Sequence, residues 1–250
     1  MPCRSSLLAA FALLFAAAPA LADSPEQIQG LGPKKGQWEL GYTGQFGDAR
    51  GADTARQHSG QSFYGVSKGF AIGGETQLGY RSGPLVKEDR LYFDYDSVIG
   101  IVRFGDAEED PIGTGFWLQA SLDSDGEVAR LEARGIVEKK TPSFHAEGNV
   151  MLRRVNEEEQ EGAYIAYAGR LSWSLGESTW IGAEASGQAV RLAGFHREPL
   201  EKAHYLGPNF RHEIELGGDK SLELGLSYLR RIDSDEGLRN VFQLTGELRF

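Results

Sequence analysis

The chain has 250 residues, with 26 lysines and arginines against 36 aspartates and glutamates, for a formal charge of −10. That acidic balance argues against nucleic-acid binding, and no segment after the first two dozen residues has the 18 or more consecutive apolar residues of a transmembrane helix. A mean hydropathy of −0.37 fits a soluble protein and equally a transmembrane barrel, whose lipid-facing and lumen-facing residues alternate.

The first residues, MPCRSSLLAAFALLFAAAPALA, place one charge, Arg4, before an apolar run from Leu7 to about Ala18. Ala20-Leu21-Ala22 then supplies a small-x-small cleavage pattern. This is the signature of a secretory signal peptide over residues 1–22, cut after Ala22. Cys3 leaves with it, so the mature chain carries no disulfide. Residues 23–36 hold Pro and Gly without a period and read as a short periplasmic lead-in.

From Gln37 to Phe250 the chain alternates apolar and polar residues, the period of a strand. Trp38, Leu40, Tyr42 and Phe46 share the apolar face of the first strand, and Ser62, Tyr64 and Val66 that of the second. Leu78 and Tyr80 lie on the third, opposite Glu75 and Gln77. Phe93, Tyr95, Ile99 and Ile101 mark the fourth, opposite Arg90, Asp94 and Asp96. The fifth carries Phe116, Leu118 and Leu122. The sixth sets Leu131 and Val137 against Arg130, Glu132 and Arg134, and the seventh sets Val150 and Leu152 against His145, Glu147 and Arg153. The eighth opposes Leu171 and Trp173 to Arg170, and the ninth opposes Ile181 and Ala183 to Glu184. In the tenth, Phe210 and Ile214 oppose Arg211 and Glu213, and His212 falls on the lipid side. Leu224 and Leu226 oppose Glu223 in the eleventh; Phe242, Leu244 and Phe250 oppose Glu247 and Arg249 in the twelfth.

Alternation alone would suit a soluble barrel with inside and outside exchanged. Three features point to the membrane. Many strands run to about 9–13 residues, where soluble sheets average about 5–6 and a tilted membrane strand needs about 9–11. Long polar loops near 48–60, 81–89, 154–162, 191–203 and 231–239 alternate with short turns, as in outer-membrane barrels, although Asp106–Gly113 is long for a turn and Asp123–Gly126 short for an outer loop. The chain ends on an aromatic, Phe250, which resembles the C-terminal signature read by the barrel-assembly machinery. Trp38, Trp173, Trp180, Tyr205 and Tyr228 fall toward strand ends, where an aromatic girdle belongs. The expectation is an all-β, antiparallel transmembrane β-barrel over 37–250, of about twelve strands (ten to fourteen). It would sit in the outer membrane of a Gram-negative bacterium, among its lipids and lipopolysaccharide.

The lumen-facing set, Arg90, Asp94, Asp96, Arg130, Glu132, Arg134, His145, Glu147, Arg153, Arg170, Glu184, Arg211 and Glu213, carries both signs. Such side chains either line a narrow polar pore or pair across it and close it. The acidic runs Glu157–Glu161 and Asp233, Asp235, Glu236 read as a solvated rim, or as weak divalent-cation sites. No nucleophile motif, HExxH, P-loop or dinucleotide fingerprint occurs, so neither catalysis nor a cofactor is expected. Among His58, His145, His196, His204 and His212, His145 beside Glu147 is the best acid–base candidate.

One hairpin resembles a known family. Phe116-Trp117-Leu118-Gln119-Ala120, Asp125-Gly126-Glu127 and Ala129-Arg130-Leu131-Glu132-Ala133 are similar to the barrel domain of copper resistance protein B. The resemblance implies the same barrel over roughly residues 85–250. That family's Met- and His-rich N-terminal region, suited to soft copper(I), has no counterpart here, where Met151 is the one methionine after the signal segment. The leading expectation is therefore a narrow channel for small polar or ionic solutes. Its rivals are a copper-resistance barrel and a structural or lipid-modifying barrel.

Overall fold

A computed structural model describes residues 25–49, 54–82, 90–156, 162–193, 203–233 and 238–250. The signal segment 1–22, the run Glu157–Glu161, and His196, Asp235 and Glu236 lie outside the described residues. Arg90 starts a strand, but its side chain is likewise outside them.

Twelve strands form one sheet: β1 Trp38–Ala49, β2 Thr54–Ser67, β3 Phe70–Ser82, β4 Arg90–Arg103, β5 Gly113–Leu122, β6 Val128–Thr141, β7 Phe144–Val155, β8 Gly162–Ser174, β9 Thr179–Ala193, β10 His204–Glu215, β11 Ser221–Arg231 and β12 Leu238–Arg249. Each pairs antiparallel with its sequence neighbours, and β1 pairs with β12, closing the barrel. Trp38 and Phe250 complete the seam: the Trp38 amide donates to the Phe250 carbonyl at 2.7 Å and the Phe250 amide to the Trp38 carbonyl at 3.0 Å. Closure leaves no unpaired sheet edge, which a hydrocarbon environment requires. At strand lengths of 10 to 15 residues, each strand is long enough to cross a bilayer at a tilt.

Trp38 and Phe250 mark one end, the terminal end. The other, the loop end, carries the connections that begin after β1, β3, β5, β7, β9 and β11. The long loop expected over 48–60 is shorter: β2 already starts at Thr54. Its first residues hid this because polar side chains occupy both faces there, Gln57 and Ser59 inward and Arg56 and His58 outward.

The outer surface is apolar. Val98, Leu118, Val150, Leu171, Leu226 and Phe242 are among its exposed side chains. Aromatics gather toward the strand ends, with tilted rings in contact: Trp38 and Tyr64 at 5.0 Å, Trp173 and Phe144 at 5.9 Å, and Tyr228 and Phe242 at 4.9 Å between centroids. Two of the expected girdle residues are not there. Trp180 and Tyr205 point inward and are buried. His212 does face outward, as its position in the alternation requires. The Thr179 hydroxyl lies 2.9 Å from its Nδ1, which satisfies it near the terminal end.

β4 departs most from the sequence pattern. Gln77 pairs with Tyr95 and Leu78 with Phe93, so Asp94 is the extra residue of a β-bulge. A one-residue shift sends every following side chain to the other face. Tyr95, Ile99 and Ile101, expected toward lipid, therefore point into the barrel and are buried. Asp96, expected in the lumen, is exposed on the outer face and accepts a 2.6 Å hydrogen bond from Thr76.

The interior is thus not polar throughout. Phe63, Ala71, Ile99, Ile101, Trp117 and Ile136 form an apolar cluster in its terminal half. Met151, Val155, Tyr164, Ala166 and Ala168 form another toward the loop end.

Residues 25–36, expected as a lead-in outside the barrel, run through its interior. Leu31 is buried in the first apolar cluster and Ile28 packs on the second. An extended segment exposes unpaired backbone groups, so inside a barrel it needs partners from the wall. It has them. Asn149 holds Gln29 from both sides, accepting from its amide at 2.7 Å and donating to its carbonyl at 3.0 Å. Arg134 donates to the Gln27 carbonyl at 2.8 Å and Gln45 to the Pro25 carbonyl at 2.9 Å. Arg103 donates to the Pro33 carbonyl. At the exit, Gly36 donates to the Gly65 carbonyl at 2.7 Å. A Cβ on Gly65 would stand 2.0 Å from the Lys34 carbonyl oxygen, so only glycine lets the segment pass there.

Candidate functional site

The inward side chains of β6 to β12 form two charged groups, one toward the loop end and one toward the terminal end, and the internal segment touches both. The first surrounds Glu132. Arg134 contacts its Oε1 at 2.7 Å through Nη2 and 2.8 Å through Nε. Arg153 contacts its Oε2 at 2.6 Å through Nη2 and 2.7 Å through Nε. One carboxylate between two guanidinium groups leaves a positive surplus, and Glu26 of the internal segment neutralises it. Its carboxylate meets Arg153 in a bidentate pair at 3.0 and 2.7 Å. Charge-assisted pairs of this geometry are the strong ones.

The second group lies nearer the terminal end. Glu147 accepts from Arg170 at 2.7 Å and lies 3.7 Å from Arg211. Arg211 also meets Glu223 at 3.1 Å and donates to His145 Nδ1 at 2.7 Å. Because Nδ1 accepts, the His145 proton sits on Nε2 and is donated to Glu138 at 3.0 Å. This neutral tautomer leaves His145 no free nitrogen for acid–base work. Next along the wall, Arg249 pairs with Glu39 at 3.2 Å and also with Glu247.

Glu138, His145 and Glu147 present ligand atoms within 4.8 Å of one another. Their remaining neighbours are Arg170 and Arg211, whose guanidinium groups occupy the Glu147 carboxylate and the His145 Nδ1. A metal ion there would have to displace two fixed cations, so the trio belongs to the ion-pair network.

Of the other expected lumen residues, Arg130 stacks over the Tyr95 ring at 4.5 Å and donates to its hydroxyl at 3.0 Å. The Asp94 carboxylate turns inward to Gln77. Glu184 is buried in the wall of β9, and Glu213 lies at the terminal rim of β10. Asp96 does not belong to the lumen. Three contributors were not placed in the lumen from the sequence: Glu26, Arg103 and Glu138. Glu138 extends the alternation of Arg130, Glu132 and Arg134 by two further steps, a signal the expected turn over 138–143 concealed.

A cavity of about 360 Å³ opens at the terminal end between the segment and the wall. Arg103, Arg170, Arg211 and Arg249 line it together with Glu39, Glu138, Glu147, Glu223 and Glu247. A smaller cavity of about 60 Å³ continues beside Gln27 and Gln29, sharing Gln61, Arg170, Glu223 and Glu247 with the first. Toward the loop end, Gln45 donates both to the Pro25 carbonyl and to the Gln243 side-chain oxygen.

At the mouth, Lys34 lies 3.5 Å from Asp106 and 3.3 Å from Glu108. Partial burial alone would raise the Asp106 carboxyl. The amides of Glu108 and Glu109 and the Lys34 ammonium outweigh it and hold the group below the usual carboxylate range. Burial likewise opposes the ionisation of Glu108, but Lys140 and Lys34 prevail and keep it low.

The fold has solved counterparts. The COG4313 outer membrane channel from Pseudomonas putida F1 superimposes with a TM-score of 0.60 over 90% of this chain and 98% of its own, at 9% identity. The NanC porin does so with a TM-score of 0.53 over 84% of this chain and 98% of its own, also at 9% identity. The chain therefore has the closed twelve-stranded fold found in outer-membrane channels. No protein-family model matches it, and no curated protein matches its sequence.

Proposed function

We propose that the protein is an outer-membrane channel for small polar or ionic solutes, with a passage that runs between the barrel wall and the internal segment 25–34. The observation that carries this reading is the pair of adjoining cavities, about 360 and 60 Å³, lined by guanidinium and carboxylate groups along one side of the segment. An apolar exterior with aromatic strand ends supports placement in a bilayer. The terminal end, where Trp38 and Phe250 join, then faces the periplasm.

The segment makes the pore narrow. Its backbone is bonded to Gln45, Arg134 and Asn149 on different strands. It leaves room for ions and small solutes along one side only. Planar-bilayer recordings of the refolded protein test the reading: small, stable conductance steps are expected, and a trace closed at all voltages overturns it.

Copper handling has less to rest on. Met151 is buried against the Arg153 guanidinium at 3.9 Å, where a cationic metal is repelled.

A further inference from the structure

Glu184 lies beside the second charged group and, among the described residues, keeps one carboxylate oxygen without a hydrogen-bond partner. It is 1% exposed. Its side chain crosses the gap left by Gly207 on β10 and accepts a 2.9 Å hydrogen bond from Ser227 of β11 through Oε2. Its Oε1 has no hydrogen-bond partner among the described residues. Arg170, which faces Glu184 across the β8–β9 pairing, is committed to Glu147 at 2.7 and 2.5 Å. Arg211 is committed to Glu223 and His145 at 3.1 and 2.7 Å. Glu147, Glu184 and Glu223 thus set three carboxylates against two guanidinium groups, and Glu184 is the surplus.

Polar groups without partners surround it. The Ser186 hydroxyl, on the same face of β9, is fully buried and unbonded. Asn209, paired in register with Ser227, is buried and uses only one end of its amide, toward Ser172 at 3.2 Å. The hydroxyl of Ser172 bonds either end equally well, so the amide oxygen is free to turn toward Glu184.

A buried carboxylate oxygen without a partner is unfavourable, and the two guanidinium groups nearest Glu184 are each bonded to another carboxylate. We propose that Glu184, Ser186, Asn209 and Ser227 form a binding site for a monovalent metal cation in the channel wall. One carboxylate among neutral oxygens carries a single negative charge, which one hard monovalent cation neutralises where a divalent ion would leave a buried positive surplus. The site relies on the pore reading for the ion's route in from the terminal mouth.

The test is thermal unfolding of the refolded full barrel in detergent, with choline chloride replaced by NaCl or KCl at constant ionic strength. The native chain should gain about 3 °C in melting temperature once the ion is well above its dissociation constant. Glu184→Gln should lose the cation-dependent gain whatever its own baseline, and Ser186→Ala should reduce it, which covers the case where the first variant does not refold. No gain in the native chain, or an equal gain in Glu184→Gln, overturns the site. A conducting barrel without the gain removes the site and leaves the pore. A gain in a barrel that never conducts keeps the site and removes the pore.

Discussion

Glu26 and Arg153 meet inside the barrel through two parallel contacts, at 3.0 and 2.7 Å, although 127 positions separate them in the chain. Arg153 is also held by Glu132 at 2.6 Å. Removing the Glu26 carboxylate leaves a buried site with two guanidinium groups and one anion. Breaking a buried pair from one side costs about 3–5 kcal/mol, and the retained Glu132 contact places this case at the low end. Glu26→Gln should loosen the segment and raise channel conductance several-fold. Single-channel recording checks it.

Gly65 marks where the segment leaves the barrel, with the Lys34 carbonyl oxygen 2.0 Å from where a Cβ would stand. Gly65→Ala should push the segment off the wall while keeping β2 in register with β1 and β3. The expected outcome is faster proteolysis of the segment in the folded barrel, read by mass spectrometry, with the barrel core still resistant.

Leu31 is 6% exposed among Phe63, Ile99, Ile101, Trp117 and Ile136. Truncating a leucine in such a cluster costs about 2–5 kcal/mol. Leu31→Ala should shift the denaturant midpoint of the segment's release, measured by a fluorophore near the mouth, and leave that of barrel unfolding in place.

The mouth should be acid-sensitive. Asp106 and Glu108 ionise below the usual carboxylate range in the folded chain. Their contribution is therefore fully present above the ordinary carboxylate pKa of about 4 and is lost as pH falls through the lower folded values. Lys34, whose partial burial is outweighed by the pull of Glu108 and Asp106, is raised, so its contribution is lost only as pH rises past the ordinary lysine value. The segment should stay anchored from about pH 5 to pH 9 and loosen below about pH 4. A pH series of proteolysis rates measures this, and Lys34→Met should flatten its acid limb.

Most of the barrel was legible because a strand with one face in lipid must alternate, and Leu118, Leu131, Val150 and Leu171 do so without interruption. That register also gave the correct inward side for Glu132, Arg134, His145, Glu147, Arg153, Arg170 and Arg211. It failed on β4, where the bulge at Asp94 reverses the faces: an apolar run such as Val98 to Val102 does not show which of its residues face inward. The internal segment was illegible for a different reason. A single extended segment bonded to its surroundings through its backbone carries no period, and Gln27, Gln29 and Gly30 look like any linker. Its partners, Asn149 and Arg134, are spaced far along the chain, and nothing local marks them as holding a segment that is not their neighbour.

Whether the lumen is a passage narrowed by its own N-terminal segment is tested most directly by comparing single-channel conductance of the refolded chain with that of a variant lacking residues 25–34. The native chain should show small steps and the deletion steps several-fold larger, with the outer barrel unchanged by circular dichroism. Equal conductance in the two, or a deletion variant that stays closed, would contradict it.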